Sequence, residues 1–526
     1  MCRDKRHRGG FEFGCSQSGD IAPIASLENE NKAKPMGNGT SRRNFLKASA
    51  ISGLALGSAA AHASLLQSQA GETGEAQQKT ARRPNVVLFC SDQMRSDFVG
   101  AYNENSMSHT PNIDGMVRRG SSFKYAVTNQ PLCSPSRACM ITGRYATETG
   151  EWQIAAGMRD DLPTLASVLR ENGYTTAFIG KWHLMKADHK TQAGYGWVPP
   201  KHRHGFLDVW EGANEFEHTT HPYYGTIWGS DGKEITYKDE YRIDFITGRA
   251  VQYLKQPHDK PFFLYVSQLE PHQQNDLNRM VAPKGYAQRY MNPLVPADLR
   301  NMPGNWQEQL PDYYGCVEKI DESVGTILKT LKEEKLLDNT IVAFISDHGC
   351  HFQTRNAEYK RSPHDSSVRI PFIFQGPGFD RSVVRDEIVS MIDLTPTLLG
   401  AAGVQVPASM KGRNIMPLLS SREARENWDN TAYIQISGSM VGRAIRTNEW
   451  CYCVVDRSKR GSETPASTHY EEYQMYNLDD DPYQQVNLAG RQEYRERAGE
   501  LRALLLKRMA EAGEEIADIT PAHLYP

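Results

Sequence analysis

The sequence predicts an α/β fold, a large mixed and mostly parallel sheet sandwiched by helices, followed by a smaller C-terminal α+β part with an antiparallel sheet. Three observations predict it. Short apolar runs bounded by turn residues alternate with amphipathic stretches from residue 85 onward. The apolar runs are near-continuous rather than alternating, as in strands covered on both faces. Past residue 420 the pattern changes to short strand-like pieces and a helical tail.

Taken in order, residues 1–63 read as an N-terminal extension carrying an export signal. "SRRNFLK", Ser41 to Lys47, precedes a small-residue apolar run and resembles the twin-arginine signal of bacterial export. The run is too short and too weakly apolar for a stable membrane span. "AHA" at 61–63 fits a signal-peptidase site, and Met36 is a candidate start. The expected location is therefore exported, periplasmic or extracellular. Residues 64–81 are polar and read as a linker, 82–420 as a catalytic domain, and 421–526 as the smaller domain.

Within 82–420, "NVVLFCSD" (85–92), "TTAFIGKWH" (175–183), "PFFLYVSQLEPH" (261–272), "TIVAFISDHG" (340–349) and "IPFIFQG" (370–376) read as buried strands. "LPTLASVLRENG" (162–173) has Leu162, Leu165 and Leu169 on one side and a terminal glycine, which predicts a helix. Residues 318–337 repeat Ile320, Val324, Ile327 and Leu331 at helical spacing. In the last part, "TAYIQISG", "RAIRTNEWCYCVV" and "YQMYNL" read as strands and "EYRERAGELRALLLKRMAEAG" as a helix.

The formal charge of -3 over 526 residues argues against a nucleic-acid partner. Seven cysteines follow the signal: Cys90, Cys133, Cys139, Cys316, Cys350, Cys451 and Cys453. They are sparse and odd in number, so they do not form a disulfide scaffold. Cys139 reads as core.

Four predicted strands end in polar groups: Asp92 and Gln93, Lys181 and His183, His272, and Asp347 and His348. Ligands bind beyond the carboxyl ends of strands in open α/β sheets, so these ends are expected to converge. Asp92, Gln93 and Asp347 offer hard oxygens that suit calcium, or magnesium, with His348 as a further ligand or a bridge to an anion. Arg137, Lys181, His183, His272 and Lys360 add cationic and hydrogen-bonding groups. A dication ringed by such groups suits a sulfate or phosphate ester. His272 or His183 would protonate a leaving alkoxide.

"CSPSR" at 133–137 has the Cys-x-Pro-x-Arg form that is oxidised to formylglycine in type I sulfatases, members of the alkaline phosphatase superfamily. Five further segments resemble that family in order: "PNVVLFCSDQ", "GKWHL", "SDHG", "YKRSPHDSSVRIPFI" and "MYNLDDDPYQQVNLA". The resemblance covers most of the chain and implies an alkaline-phosphatase-like fold and sulfate-ester hydrolysis. It implies a formylglycine hydrate at Cys133, itself beside the metal. One hydroxyl of the hydrate attacks sulfur. His272 protonates the departing alcohol. The second hydroxyl then expels sulfate with help from His183. Arg137 would hold the hydrated side chain, and Lys181 and Lys360 would bind sulfate oxygens. The implied maturation partners are a formylglycine-generating enzyme and the twin-arginine export machinery. Two positions depart from the pattern: Gln93 stands where many relatives have aspartate, and His348 where many have asparagine.

Two alternatives remain open from sequence. One is a phosphodiester or phosphonate-ester hydrolase of the same superfamily. The other is a carbohydrate-binding pseudoenzyme whose Cys133 stays a thiol. The expected substrate is a sulfated carbohydrate, with His221, His351 or Arg355 as candidate sugar contacts.

Overall fold

The structure, a computed structural model, describes residues 83–526. The expected extension and export signal at 1–63 and the linker at 64–81 lie outside the described residues. No helix among the described residues is long and apolar enough to cross a membrane.

An eleven-stranded mixed sheet forms the centre. Its middle runs Thr340–Ser346, Asn85–Asp92, Phe262–Pro271, Thr175–Lys181, Val209–Ala213, all parallel. Phe372–Gln375 then pairs antiparallel with Thr340–Ser346. In Asn85–Asp92 every residue is buried, and alternate side chains enter opposite cores. Val86, Leu88 and Cys90 join one, Val87 and Phe89 the other. That explains the unbroken apolar run, since a strand with a core on each face has no wet side.

One core is closed by the helices Cys133–Thr142, Leu165–Glu171 and Leu394–Ala401. The other is closed by Pro111–Arg119, Arg242–Leu254 and Trp306–Glu333. Two helices differ from their expected bounds. The expected 162–173 helix begins only at Leu165, because Thr164 caps it by accepting from the Ser167 N–H. The expected 318–337 helix starts at Trp306 and runs through Pro311. A proline there removes one backbone hydrogen bond. The helix continues because Leu310, Tyr313 and Tyr314 around it are buried.

The C-terminal strands Thr431–Ile436, Val441–Thr447, Trp450–Asp456 and His469–Asn477 form an antiparallel sheet, with Asp518–Thr520 added in parallel. The helix Arg495–Glu511 packs its Leu501, Leu505 and Met509 on one face. The other face packs Ala432, Ile434 and Ile436 against Val127, Val368 and Ile388. Gln435 donates its N–H to Asn129 O at 2.7 Å, and Asn129 donates to Tyr433 O at 2.9 Å. This stitching fixes the segment that leads into Cys133.

Candidate active site

The spacing Cys-x-Pro-x-Arg is one helical turn. Cys133 is the first residue of its helix and Arg137 the fifth, so both project from one face. Pro135 sits in the first turn, where a missing N–H costs nothing. Helical bonding starts with Ser136 N–H to Leu132 O at 2.9 Å. Gly143, with φ 63°, closes the helix by donating to Cys139 O.

The four strand ends do converge on this face. Gln93 and His183 turn the chain at φ 74° and 62°, conformations that non-glycine residues adopt at a cost. Gly180, just before Lys181, must be glycine, since a Cβ there would meet Ser267 O at 1.9 Å.

Asp92 and Asp347 are fully buried, and Arg137 braces both. Its Nε lies 3.1 Å from Asp347 Oδ2 and its terminal nitrogen 3.2 Å from Asp92 Oδ2. Its other terminal nitrogen donates to Ser267 Oγ at 2.6 Å. Lys181 Nζ is 2.8 Å from Asp92 Oδ2 and 3.2 Å from Glu217. Burial alone would raise the Asp92 carboxyl, but Lys181, His272 and Lys360 hold it well below the carboxylate range. Burial and the neighbouring Asp92 charge raise the Asp347 carboxyl.

Cys133 Sγ sits at the centre. Lys360 Nζ is 2.8 Å away, His348 Nε2 3.2 Å and Asp92 Oδ1 3.6 Å. Burial would raise its pKa, yet the Lys181 and Lys360 ammoniums bring it well below the usual thiol value. His348 Nδ1 donates to Gly349 O at 2.9 Å, which turns the Nε2 lone pair toward the carboxylates. Gln93 Oε1 accepts from Lys360 at 3.1 Å, and its amide nitrogen donates to Gln273 Oε1.

This donor set fits a dication. Ligand atoms of Asp92, Cys133, Asp347 and His348, all buried, lie within 4.8 Å of one another, and the Asp92 charge beside Asp347 raises its carboxyl. Oxygen donors suit a hard ion, and the imidazole is in the tautomer of a ligand.

His272 is nearly buried at a strand end, and its Nδ1 donates to Gln273 O at 2.6 Å, which leaves Nε2 for a reacting group. His183 Nε2 lies 3.3 Å from Glu215 Oε2. Burial would lower its pKa, but Glu215 and Glu217 push it up to about 10, so it is an imidazolium at neutral pH.

Not every expected contact is presented. His351 is fully buried, and its Nε2 meets Lys360 O at 2.9 Å. It supports the Lys360 loop and does not face outward. Arg355 donates to Gln484 O at 2.7 Å and Tyr483 O at 2.8 Å, so it ties that loop to the C-terminal part. His221 is at the surface, stacked on Tyr224 at 4.5 Å and paired with Asp276 at 3.0 Å.

Three acidic residues were missed from sequence: Glu151, Glu215 and Glu217, all buried around His183 and Lys181. Burial pushes the Glu151 carboxyl up to about 8. "GANEFEH", where a strand ends in two spaced acids, carried the signal for the last two.

The profile described as Sulfatase matches residues 84–404. The chain belongs to the sulfatase family. A profile described as N-sulphoglucosamine sulphohydrolase, C-terminal, matches this sulfatase at 357–511. An ulvan-active sulfatase of Formosa agariphila is 29% identical over 459 residues, covering 84% of this chain and 83% of that one. A solved protein of glycosaminoglycan metabolism from Bacteroides thetaiotaomicron is 26% identical, with TM-score 0.71 and coverage of 82% and 97%. A phosphonate monoester hydrolase of Agrobacterium radiobacter shares the fold at TM-score 0.63 and 19% identity, covering 82% and 96%. The fold alone thus accommodates both ester classes, while the family places this enzyme among sulfuric ester hydrolases.

Two buried histidines set an acid limit on this sulfatase. Burial lowers His204 to about 4, where it stacks on Trp182, and His351 to about 3. Both are neutral when folded and take a proton near 6.5 when unfolded. The unfolded state therefore binds more protons below 6.5, and stability falls as pH drops from there toward 4. Denaturant melts are expected to lose up to about 3 kcal/mol per histidine across that window. His204→Gln should flatten the slope.

Proposed function

We propose that this sulfatase acts on a sulfated carbohydrate outside the cytoplasm, with Cys133 converted to formylglycine and a Ca2+ ion held by Asp92, Gln93, Asp347 and His348. The cluster at Cys133 supports the reading: two buried carboxylates, a ligand-oriented imidazole and a ring of cations around one side chain. The dication supplies Lewis acidity that neutralises sulfate oxygens. Oxidation of Cys133 supplies a hydrated aldehyde in place of a thiol as the nucleophile.

The chain's own residues do the rest. Lys360 and Lys181 bind sulfate oxygens and hold charge that would otherwise oppose an anionic ester. Arg137 fixes the two carboxylates relative to the helix that carries Cys133. His272 Nε2 delivers a proton to the departing alkoxide. His183, held charged by Glu215, stands beside Cys133 with its ring nitrogens free of hydrogen-bond partners. The relative that acts on ulvan supports the choice of a sulfated carbohydrate.

The test is peptide mass spectrometry of protein from its native source, on the tryptic peptide Tyr125–Arg137, with rates on paired sulfate and phosphate esters. Formylglycine at 133 and a faster sulfate ester are expected. A thiol at 133 in active protein sinks the nucleophile, and a faster phosphate ester sinks the substrate class.

His221 offers a stacked aromatic face at the surface and is the candidate sugar contact. His221→Ala is expected to raise KM on the natural glycan roughly fivefold, about 1 kcal/mol, with kcat unchanged. An unchanged KM removes His221 from the substrate site.

A further inference from the structure

Glu215 uses only half of its carboxylate. Oε2 faces His183 at 3.3 Å, while Oε1 is buried with no hydrogen-bond partner. A buried carboxylate oxygen without a partner is costly. Beside it stand two exposed imidazoles, His189 and His218. One nitrogen of each lies with a Glu215 oxygen in a group whose atoms are all within 4.8 Å of one another.

The local fold builds this group. Glu215 immediately precedes the short helix Phe216–Thr219, so His218, three residues on, stands over the same face. His189 lies in a loop laced to the end of the strand Val209–Ala213. Asn214 donates to Met185 O at 2.8 Å and Gly194 O at 2.9 Å, and Glu215 N–H donates to Tyr195 O at 2.8 Å. Tyr195 then joins the two imidazoles. Its hydroxyl meets His189 Nδ1 at 2.8 Å, and its ring stacks on His218 at 4.7 Å. With Nδ1 engaged, Nε2 is the free nitrogen of His189.

We propose that His189, Glu215 and His218 form a second metal site, for a borderline transition-metal dication such as Zn2+. Two imidazoles and one carboxylate favour such an ion over calcium or magnesium, which prefer shells of oxygen. Three protein ligands leave one position open to water. Bonds of about 2.0–2.1 Å draw tetrahedral ligands to roughly 3.3 Å apart. Both imidazoles are exposed, so closing that distance moves surface side chains, with Tyr195 between them, and leaves the core in place. Because the same carboxylate partners His183 through Oε2, Zn2+ bound at Oε1 draws off its negative charge, weakens the His183 pair and slows turnover.

The experiment uses the full protein, stripped with a chelator and then saturated with Ca2+. Zn2+ is titrated in competition with a chromophoric chelator, for the native protein and a His189→Ala, His218→Ala double variant. The native protein is expected to take up one more Zn2+ per chain than the variant. Without Zn2+ the two turn over equally, and Zn2+ inhibits the native protein at concentrations at least tenfold lower. Equal Zn2+ uptake overturns the site. Unequal uptake with equal inhibition overturns its link to His183. Uptake is read without substrate, so it stands apart from the identity of the ester hydrolysed.

Discussion

Cys133→Ala lowers kcat on a sulfate ester by at least about 10³-fold. Lys360, His348 and Asp92 all meet the side chain at this position, and alanine removes the nucleophile proposed there. The fold survives. Lys360 keeps its bond to Gln93 Oε1, and the helix keeps its cap at Gly143. Stability changes by less than about 2 kcal/mol. The measurement is kcat beside a denaturant melt of the same preparation. An alanine variant retaining a tenth of native activity would place the nucleophile elsewhere.

Arg137→Leu acts on both stability and rate. Leucine fills part of the volume but leaves Asp92 and Asp347 buried without the cation that spans them. Removing one partner of a buried ion pair costs about 3–5 kcal/mol. Lys181 still reaches Asp92, so the unmatched charge falls on Asp347. A bound dication neutralises the same carboxylates. The variant, freed of the competing guanidinium, binds Ca2+ more tightly, so the loss is largest in chelator and shrinks when Ca2+ is added by the difference between the two proteins' RT ln(1 + [Ca2+]/Kd). Melts of native and variant protein with and without Ca2+ decide this. A deficit independent of Ca2+ would separate the arginine from the metal cluster.

The strands were legible because burial on both faces leaves a continuous apolar run, and Asn85–Asp92 matches its expected bounds. The convergence of side chains was legible where they follow a strand end: Asp92, Lys181, His272 and Asp347 all meet near Cys133. Loops follow no such period. His351 and Arg355 lie in a segment whose side-chain directions are set by long-range contacts with Lys360 O and residues 483–484. Their burial is therefore a property of the tertiary fold. Glu151 was invisible for the same reason, since only folding brings it to Ser134 and His183. The early start of the Trp306–Glu333 helix was hidden by Pro311, a local signal that burial of its neighbours overrides.

Every residue of the helix Cys133–Thr142 is buried, and Cys133 itself is 1% exposed. The oxidation of Cys133 proposed above requires a modifying enzyme to meet this segment as an open chain, so folding sets a deadline for it. On that proposal, a chain that folds first keeps its thiol and is inactive. The active fraction from any host is then the rate of capture divided by the sum of the rates of capture and closure. Slowing closure, by a lower growth temperature or a weakened neighbour in the helix, would raise it without touching a catalytic group.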